Sequence, residues 1–182
     1  MSDLTELDVL KDVIKRLDGA AFEYMLTGSM AMNYYAEPRM TRDIDIVAVL
    51  GTADVQRISN LFKDEYYVSE DAIANALRNV TMFNLVHLAA VVKVDIIVRK
   101  PDEYRRHEFS RRISVEFAGI KAWIVSKEDL ILSKLYWAKD NNSEMQLRDV
   151  KNLLGAGSDE DYLRRWAPRL GVEDLLENCL NE

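Results

Sequence analysis

Leu7, Leu10, Val13, Ile14 and Leu17 follow one another at intervals of three or four, so residues 5–18 predict an amphipathic helix closed by Gly19 and packed on a sheet. The period then shortens. Residues 22–27 (FEYMLT) predict a strand, Gly28-Ser29 a turn, and residues 30–36 (MAMNYYA) a helix that begins directly behind it. In residues 43–50 (DIDIVAVL) Ile44 and Ile46 alternate with Asp43 and Asp45, which puts the two acids on one face of a strand. Val55, Ile58, Leu61 and Phe62 predict a helix over 53–65, and a shorter helix is expected over 69–78. Strands are expected at 81–88 and 91–98. In the second, Val92, Val94, Ile96 and Val98 share one face while Lys93 and Asp95 share the other, so Asp95 is placed to join Asp43 and Asp45.

Downstream, a brief helix is expected over 102–110 and a hairpin over 112–117 and 120–125, turning at Ala118-Gly119. From Ser126 onward every segment reads as helix. Ser126 supplies an N-cap and Glu128-Asp129 supply first-turn acids for a helix over 127–139, followed by helices at 143–154, 159–168 and 172–180. The chain is thus expected to be α/β (α+β), with a core over residues 1–125 built on a short mixed sheet flanked by helices, and a C-terminal helical region over 126–182 packed on it. Trp123, Trp137 and Trp166 fall in apolar stripes and are expected in the core.

The 182 residues are 48% hydrophobic and 30% charged, with seven Gly and three Pro, a composition that suits a folded domain with a real core. Cys179 is the one cysteine, which excludes a disulfide framework or a thiolate zinc site within one chain. The first 17 residues lack the apolar stretch of a signal peptide and no span of about 20 apolar residues occurs, so a cytoplasmic protein with no membrane partner is expected. A net charge of -7 argues against a broad non-specific grip on nucleic acid and leaves room only for a local basic patch.

The candidate chemistry sits in three places: Gly28-Ser29, then 13 residues, then Asp43-Ile44-Asp45-Ile46, and Asp95 on a later strand. A glycine lets the backbone approach a phosphate, and the helix start behind it offers free N–H groups and the positive end of a dipole. Three carboxylates converging on one sheet edge repel one another unless a cation compensates them. Mg2+ or Mn2+, completed by water and phosphate oxygens, is the natural cation. Each residue also has a plainer reading. An Asp-x-Asp can be the wet face of a half-exposed strand, Gly28 can simply end a strand, and Ser29 can be an ordinary N-cap.

The combination resembles the hydrophobic-Gly-Ser, spacer, Asp-hydrophobic-Asp-hydrophobic motif of the polymerase-beta-like nucleotidyltransferase superfamily, over residues 22–98. Within it the chain is most similar to the small AbiEii-like and minimal nucleotidyltransferases often encoded in toxin–antitoxin and abortive-infection pairs. The resemblance implies an enzyme that moves an NMP group from an NTP to a hydroxyl acceptor, which can be an RNA end, a protein or a small molecule, with a cognate toxin or antitoxin as a further partner. It implies that Gly28 and Ser29 contact the nucleotide phosphates, that Asp43 and Asp45 bind metal, and that Asp95 is the third carboxylate, which helps activate the acceptor hydroxyl. The tail of that branch carries a Lys and then an Arg-Asp pair, matched here by Lys134 and Arg148-Asp149, but Asn152 stands where a later acid is expected.

Other charged residues keep two readings open. Arg39 and Arg42 can pair with phosphate or with Asp43, or be solvated, and Arg42 is carried as a nucleotide-binding candidate. Lys134 falls in the apolar arc of its helix and needs an anion there, either the triphosphate or a structural partner such as Asp149 or Asp129. Arg148 and Asp149 are read as structural more than functional. The basic run Arg99-Lys100, Arg105-Arg106 and Arg111-Arg112 either faces an acceptor or forms a solvated helix. His87 and His107 lack the companions of a zinc site or a Ser-His-Asp triad. The rival functions are a catalytically silent nucleotide-binding or antitoxin-like partner protein, and a metal-dependent phosphohydrolase using the same acids with water.

Overall fold

The computed structural model describes residues 4–41, 43–141 and 143–181. Helix α1 (Glu6–Gly19) is closed at its start by a capping box in which Asp8 N donates to Thr5 Oγ1 at 3.2 Å and Thr5 N donates to Asp8 Oδ2 at 3.0 Å. Its buried stripe is Val9, Leu10, Val13, Ile14 and Leu17, while Leu7 remains 40% exposed. Strand β1 (Tyr24–Thr27) runs directly into helix α2 (Gly28–Tyr35), and strand β2 (Asp43–Ala48) follows. A 3-10 turn (Thr52–Asp54) leads into α3 (Val55–Phe62), and then come β3 (Tyr66–Tyr67), α4 (Glu70–Asn79), β4 (Met82–His87) and β5 (Lys93–Val98). Helix α5 (Glu103–Ser110) precedes the hairpin of β6 (Ile113–Phe117) and β7 (Ile120–Ile124), after which α6 (Lys127–Asn141), α7 (Glu144–Gly155), α8 (Glu160–Leu170) and α9 (Glu173–Asn181) complete the described chain.

The strands form one mixed sheet in the order β3-β4-β5-β2-β1-β7-β6, parallel at β5/β2 and β1/β7 and antiparallel elsewhere. Ile44, Ile46 and Ala48 of β2 and Val94, Ile96 and Val98 of β5 are all buried on the apolar face. Each buried Ile or Val there contributes roughly 1.5–3 kcal/mol. That burial fixes register, because a slip of one residue would carry these side chains to the opposite face. The same alternation therefore fixes where the acids point. Helix α2 packs on β2 and against α6, and α6 in turn packs on α7 and α8. The buried residues form one cluster that runs from α1 to α9.

Two sequence expectations are corrected, and one strand is added. The two-residue strand β3 is absent from the sequence pattern, since Tyr66-Tyr67 is too short to alternate. Trp166 is buried, but Trp123 and Trp137 are 39% and 55% exposed. Trp123 alternates with buried Ala122 and Ile124 along β7, so it lies on the opposite face, beneath the Arg112 guanidinium 5.0 Å from its ring centre. Trp137 lies just past a stretch of α6 from Asp129 to Leu135 that is buried on all sides, where the helix begins to reach solvent and Tyr136, Trp137 and Lys139 are no longer buried. Among the described residues no helix is long and apolar enough to cross a membrane.

Candidate active site

Strand pairing assembles the acids. Asp45 of β2 lies beside Asp95 of β5, Thr27 of β1 lies on the other side of Asp45, and Asn84 of β4 lies on the far side of Asp95. The row Thr27, Asp45, Asp95, Asn84 thus crosses four strands on one face, and Asp43 sits beside Lys93 one alternation earlier. Gly28 takes a φ of +64° at the end of β1, and a Cβ there would lie 2.1 Å from Asp45 Oδ2. Only glycine allows the turn to press against that carboxylate while leading into the N-terminus of α2.

The three carboxylates are treated differently. Asp95 is buried, accepts from Asn84 Nδ2, and lies 3.0 Å from the Lys93 ammonium, which is also 3.6 Å from Asp43. Asp43 is exposed. Asp45 accepts no hydrogen bond among the described residues, and its pKa is pushed up to about 6, first by burial and then by the charges of Asp95 and Asp43, against the opposing pull of Lys93 and Lys134. No three acidic, histidine or cysteine side chains among the described residues already close around one point as a metal cage. The donor set nevertheless fits a hard divalent cation. Its oxygens are on one face, one is uncompensated, and the place between Asp43 and Asp95 already attracts an ammonium. Magnesium also uses one or two carboxylates and completes its shell with substrate phosphates, so a preformed cage is not required.

Opposite the acid row, α6 and α7 carry a buried polar chain. Arg39 Nη2 donates to Ser29 Oγ at 2.6 Å and to Asp149 Oδ2 at 3.0 Å, and Arg39 Nε donates to Asp149 Oδ1 at 3.1 Å. Lys134 Nζ donates to Asp149 Oδ2 at 2.6 Å and to Gln146 Oε1 at 3.1 Å. Burial pulls the Lys134 pKa down, and Asp149 works against that. Burial also pushes Asp149 up, but the hydrogen bonds from Arg39 and Lys134 hold its carboxyl below the ordinary value. Lys134 therefore has the structural partner Asp149, and Arg39 pairs with Asp149 and Ser29 rather than with Asp43. Arg148 points to solvent. Arg42 lies outside the described residues.

A cavity of about 270 Å³ separates the two walls, lined on one side by Gly28, Ser29, Asp45 and Asp95 and on the other by Lys134 and Trp137. Sequence reasoning missed Asn84, Arg39 as the partner of Ser29, and Gln146. These contacts link strands and helices far apart in the chain, and no local pattern marks them. Half of the basic run is engaged elsewhere: Arg105 with Glu108, Arg111 with Asp129, and Arg112 with Glu23. His87 is buried, accepts from Ala90 N at 3.0 Å and packs on Tyr66, while His107 stacks on Trp166.

No protein-family model matches the sequence, and no curated protein does. Solved structures do match. The antibiotic-resistance factor ANT(2'')-Ia in solution superposes with a TM-score of 0.62 at 12% identity, covering 99% of this chain and 100% of that one. The chain has the nucleotidyltransferase fold. The lincosamide antibiotic adenylyltransferase LnuA with lincomycin bound gives 0.56 at 16% identity over 85% of this chain and 99% of its own. An antigenic nucleotidyltransferase-like protein from Paracoccidioides brasiliensis gives 0.57 at 18% identity over 82% and 76%. The nucleotidyltransferase fold here carries its acid row in the cleft between sheet and α6.

Proposed function

We propose that this protein is a divalent-metal-dependent nucleotidyltransferase that moves an NMP group from an NTP to a hydroxyl acceptor, with residues 1–125 as its core and 126–182 as the wall that closes the cleft. The observation that carries the reading is the pairing of Asp45 with Asp95 directly beside the Gly28 turn. Mg2+ or Mn2+ held by Asp43, Asp45 and Asp95 would supply positive charge against the phosphate oxygens. The chain's own groups do the rest. The N–H groups at the start of α2 and the Ser29 hydroxyl hold the outer phosphates, and Lys134 and Arg42 add positive charge along the triphosphate. Asn84 fixes the Asp95 carboxylate, which takes the proton of the acceptor hydroxyl. The freed oxygen forms a bond to the α-phosphorus, the bond to the bridging oxygen breaks, and pyrophosphate leaves with that electron pair.

The names of ANT(2'')-Ia and LnuA support nucleotidyl transfer as the reaction class for this fold, and both proteins have been seen with antibiotics. Pairing with a cognate toxin or antitoxin protein is supported by the resemblance of residues 22–98. The deciding experiment is pyrophosphate release with Mg2+, each NTP and a panel of acceptors. Wild type is expected to release it, and Asp45→Asn to lose at least roughly 10²-fold in rate. Release by neither protein, with NTP still bound, would favour the silent-partner reading, and free NMP without acceptor would favour a hydrolase.

A further inference from the structure

A second cavity of about 120 Å³ opens from the first and shares Thr27, Ile97, Ser133 and Trp137 with it. Its place follows from the strand directions. Val47 and Ile97 are two residues beyond Asp45 and Asp95 on parallel strands, roughly 7 Å further along. Gly28 and Ser29 lie the other way, because β1 runs antiparallel to β2 with Thr27 beside Asp45. If the outer phosphates rest at Gly28-Ser29 and the α-phosphorus at the acids, pyrophosphate departs toward Ser29. An in-line displacement then requires the attacking oxygen to arrive from the opposite side, which is the second cavity.

The chemistry of that cavity is neither acidic nor purely apolar. Its one lining carboxylate, Glu108, is buried and engaged by Arg105 Nη1 at 2.8 Å and Ser133 Oγ at 2.6 Å, so it offers nothing to a cationic ligand. Arg105 is neutralised in the same pair. Arg99 and Lys100 remain: among the described residues neither is paired with a carboxylate, and Arg99 Nε is buried without a hydrogen-bond partner. Trp137, more than half exposed, lines both cavities and so stands at their junction. The volume is well below the roughly 300 Å³ at which pockets begin to enclose a drug-sized molecule, and it suits one ring system entering from solvent.

We infer that the acceptor is a nucleotide with a free hydroxyl, its base stacked on Trp137 and its phosphate met by Arg99 and Lys100, rather than a polycationic aminoglycoside. The inference rests on the nucleotidyltransferase reading of the same cleft. A nucleotide of this kind comes either free or as the 3′ end of a single-stranded RNA, and the two share the chemistry the cavity recognises.

The test uses the whole protein with Mg2+ and a saturating non-hydrolysable NTP analogue, so that the first cavity is filled. Binding of a labelled mononucleotide and of a short single-stranded RNA is then measured, with tobramycin as a third ligand. At least one nucleotide probe is expected to bind, to lose about tenfold in affinity with Trp137→Ala, and to lose about one unit of salt slope with Arg99→Gln. Preference for the RNA assigns the 3′ end, and equal binding of the mononucleotide assigns the free nucleotide. The exposure of Trp137 makes its truncation safe for folding. The inference is overturned if neither nucleotide probe binds, if both variants bind as wild type does, or if tobramycin displaces the probe. Failure of the wild type to bind the NTP analogue at all would instead overturn the nucleotidyltransferase reading itself.

Discussion

Asp129 and Asp45 are carboxylates enclosed by the same fold and treated in opposite ways. Asp129, at the start of α6, is fully buried and accepts from Ser126 Oγ at 2.5 Å, Tyr162 Oη at 2.6 Å, Arg111 Nε at 3.0 Å and Tyr104 Oη at 3.2 Å. Asp45 sits between Thr27 and Asp95, accepts no hydrogen bond among the described residues, and has its pKa pushed up to about 6 by burial and by Asp95 and Asp43. A carboxylate that only stabilises a fold is surrounded by donors. One left short of donors beside two more acids awaits a ligand that supplies positive charge. The helical region therefore uses its buried acid as a structural hub, and the sheet keeps Asp45 short of donors at a cost in stability.

The same substitution at the two sites should have opposite signs. Asp129→Asn turns an amide N–H2 toward hydroxyl and guanidinium donors and leaves Arg111 without its charge partner. It is expected to cost about 3 kcal/mol in urea unfolding. A loss under about 1 kcal/mol would mean that the hub is not holding α5, α6 and α8 together.

Asp45→Asn removes a charge that the metal-free fold resists, so it should stabilise the protein by up to about 2 kcal/mol at pH 7.5 in EDTA. The sign carries a pH signature. Between the ordinary value of 3.8 and about 6, the folded protein holds a proton on Asp45 that the unfolded chain has released. The Asp45 contribution to stability is therefore present at low pH and fades as pH rises through that window. The difference between Asp45→Asn and wild type should accordingly be near zero at pH 4 and grow to a plateau above pH 6. A difference that does not change with pH would end the contrast between the two acids.

Much of this arrangement was legible in the sequence where burial imposes a period. The alternation in DIDIVA and KVDIIV fixed the strands, and with them the face on which Asp43, Asp45 and Asp95 lie. Gly28 was legible as a turn, but the pressure of its backbone on Asp45 was not, because that contact needs β1 and β2 to be paired. Long-range partners were invisible for the same reason: Asn84 reaches Asp95 only through the β4/β5 register, and Arg39 reaches Asp149 across 110 positions. Lys134 was legible as a buried lysine in need of an anion, with Asp149 among the candidates, because helix geometry alone put it in an apolar arc. The second cavity had no sequence signal at all, since Arg99 and Lys100 look like the rest of a basic run in which Arg105, Arg111 and Arg112 are engaged in pairs.

Lys93 gives the finest test of the contrast, because its ammonium lies directly against the acid row. Its ammonium lies 3.0 Å from Asp95 and 3.6 Å from Asp43, where a divalent cation bound by those two acids would have to sit. The lysine side chain is 44% exposed although Asp95 is buried, so the ammonium can swing into water when a stronger cation arrives. Lys93→Met keeps the stem that lies along the strand and removes the competing charge. Mn2+ affinity without nucleotide, followed by the loss of the free-ion spectrum, should then rise by up to about fivefold. A weaker affinity in Lys93→Met would mean that the lysine orients Asp95 for the metal instead of standing in its place, and the sheet acids would then be less exposed to their own repulsion than Asp45 suggests.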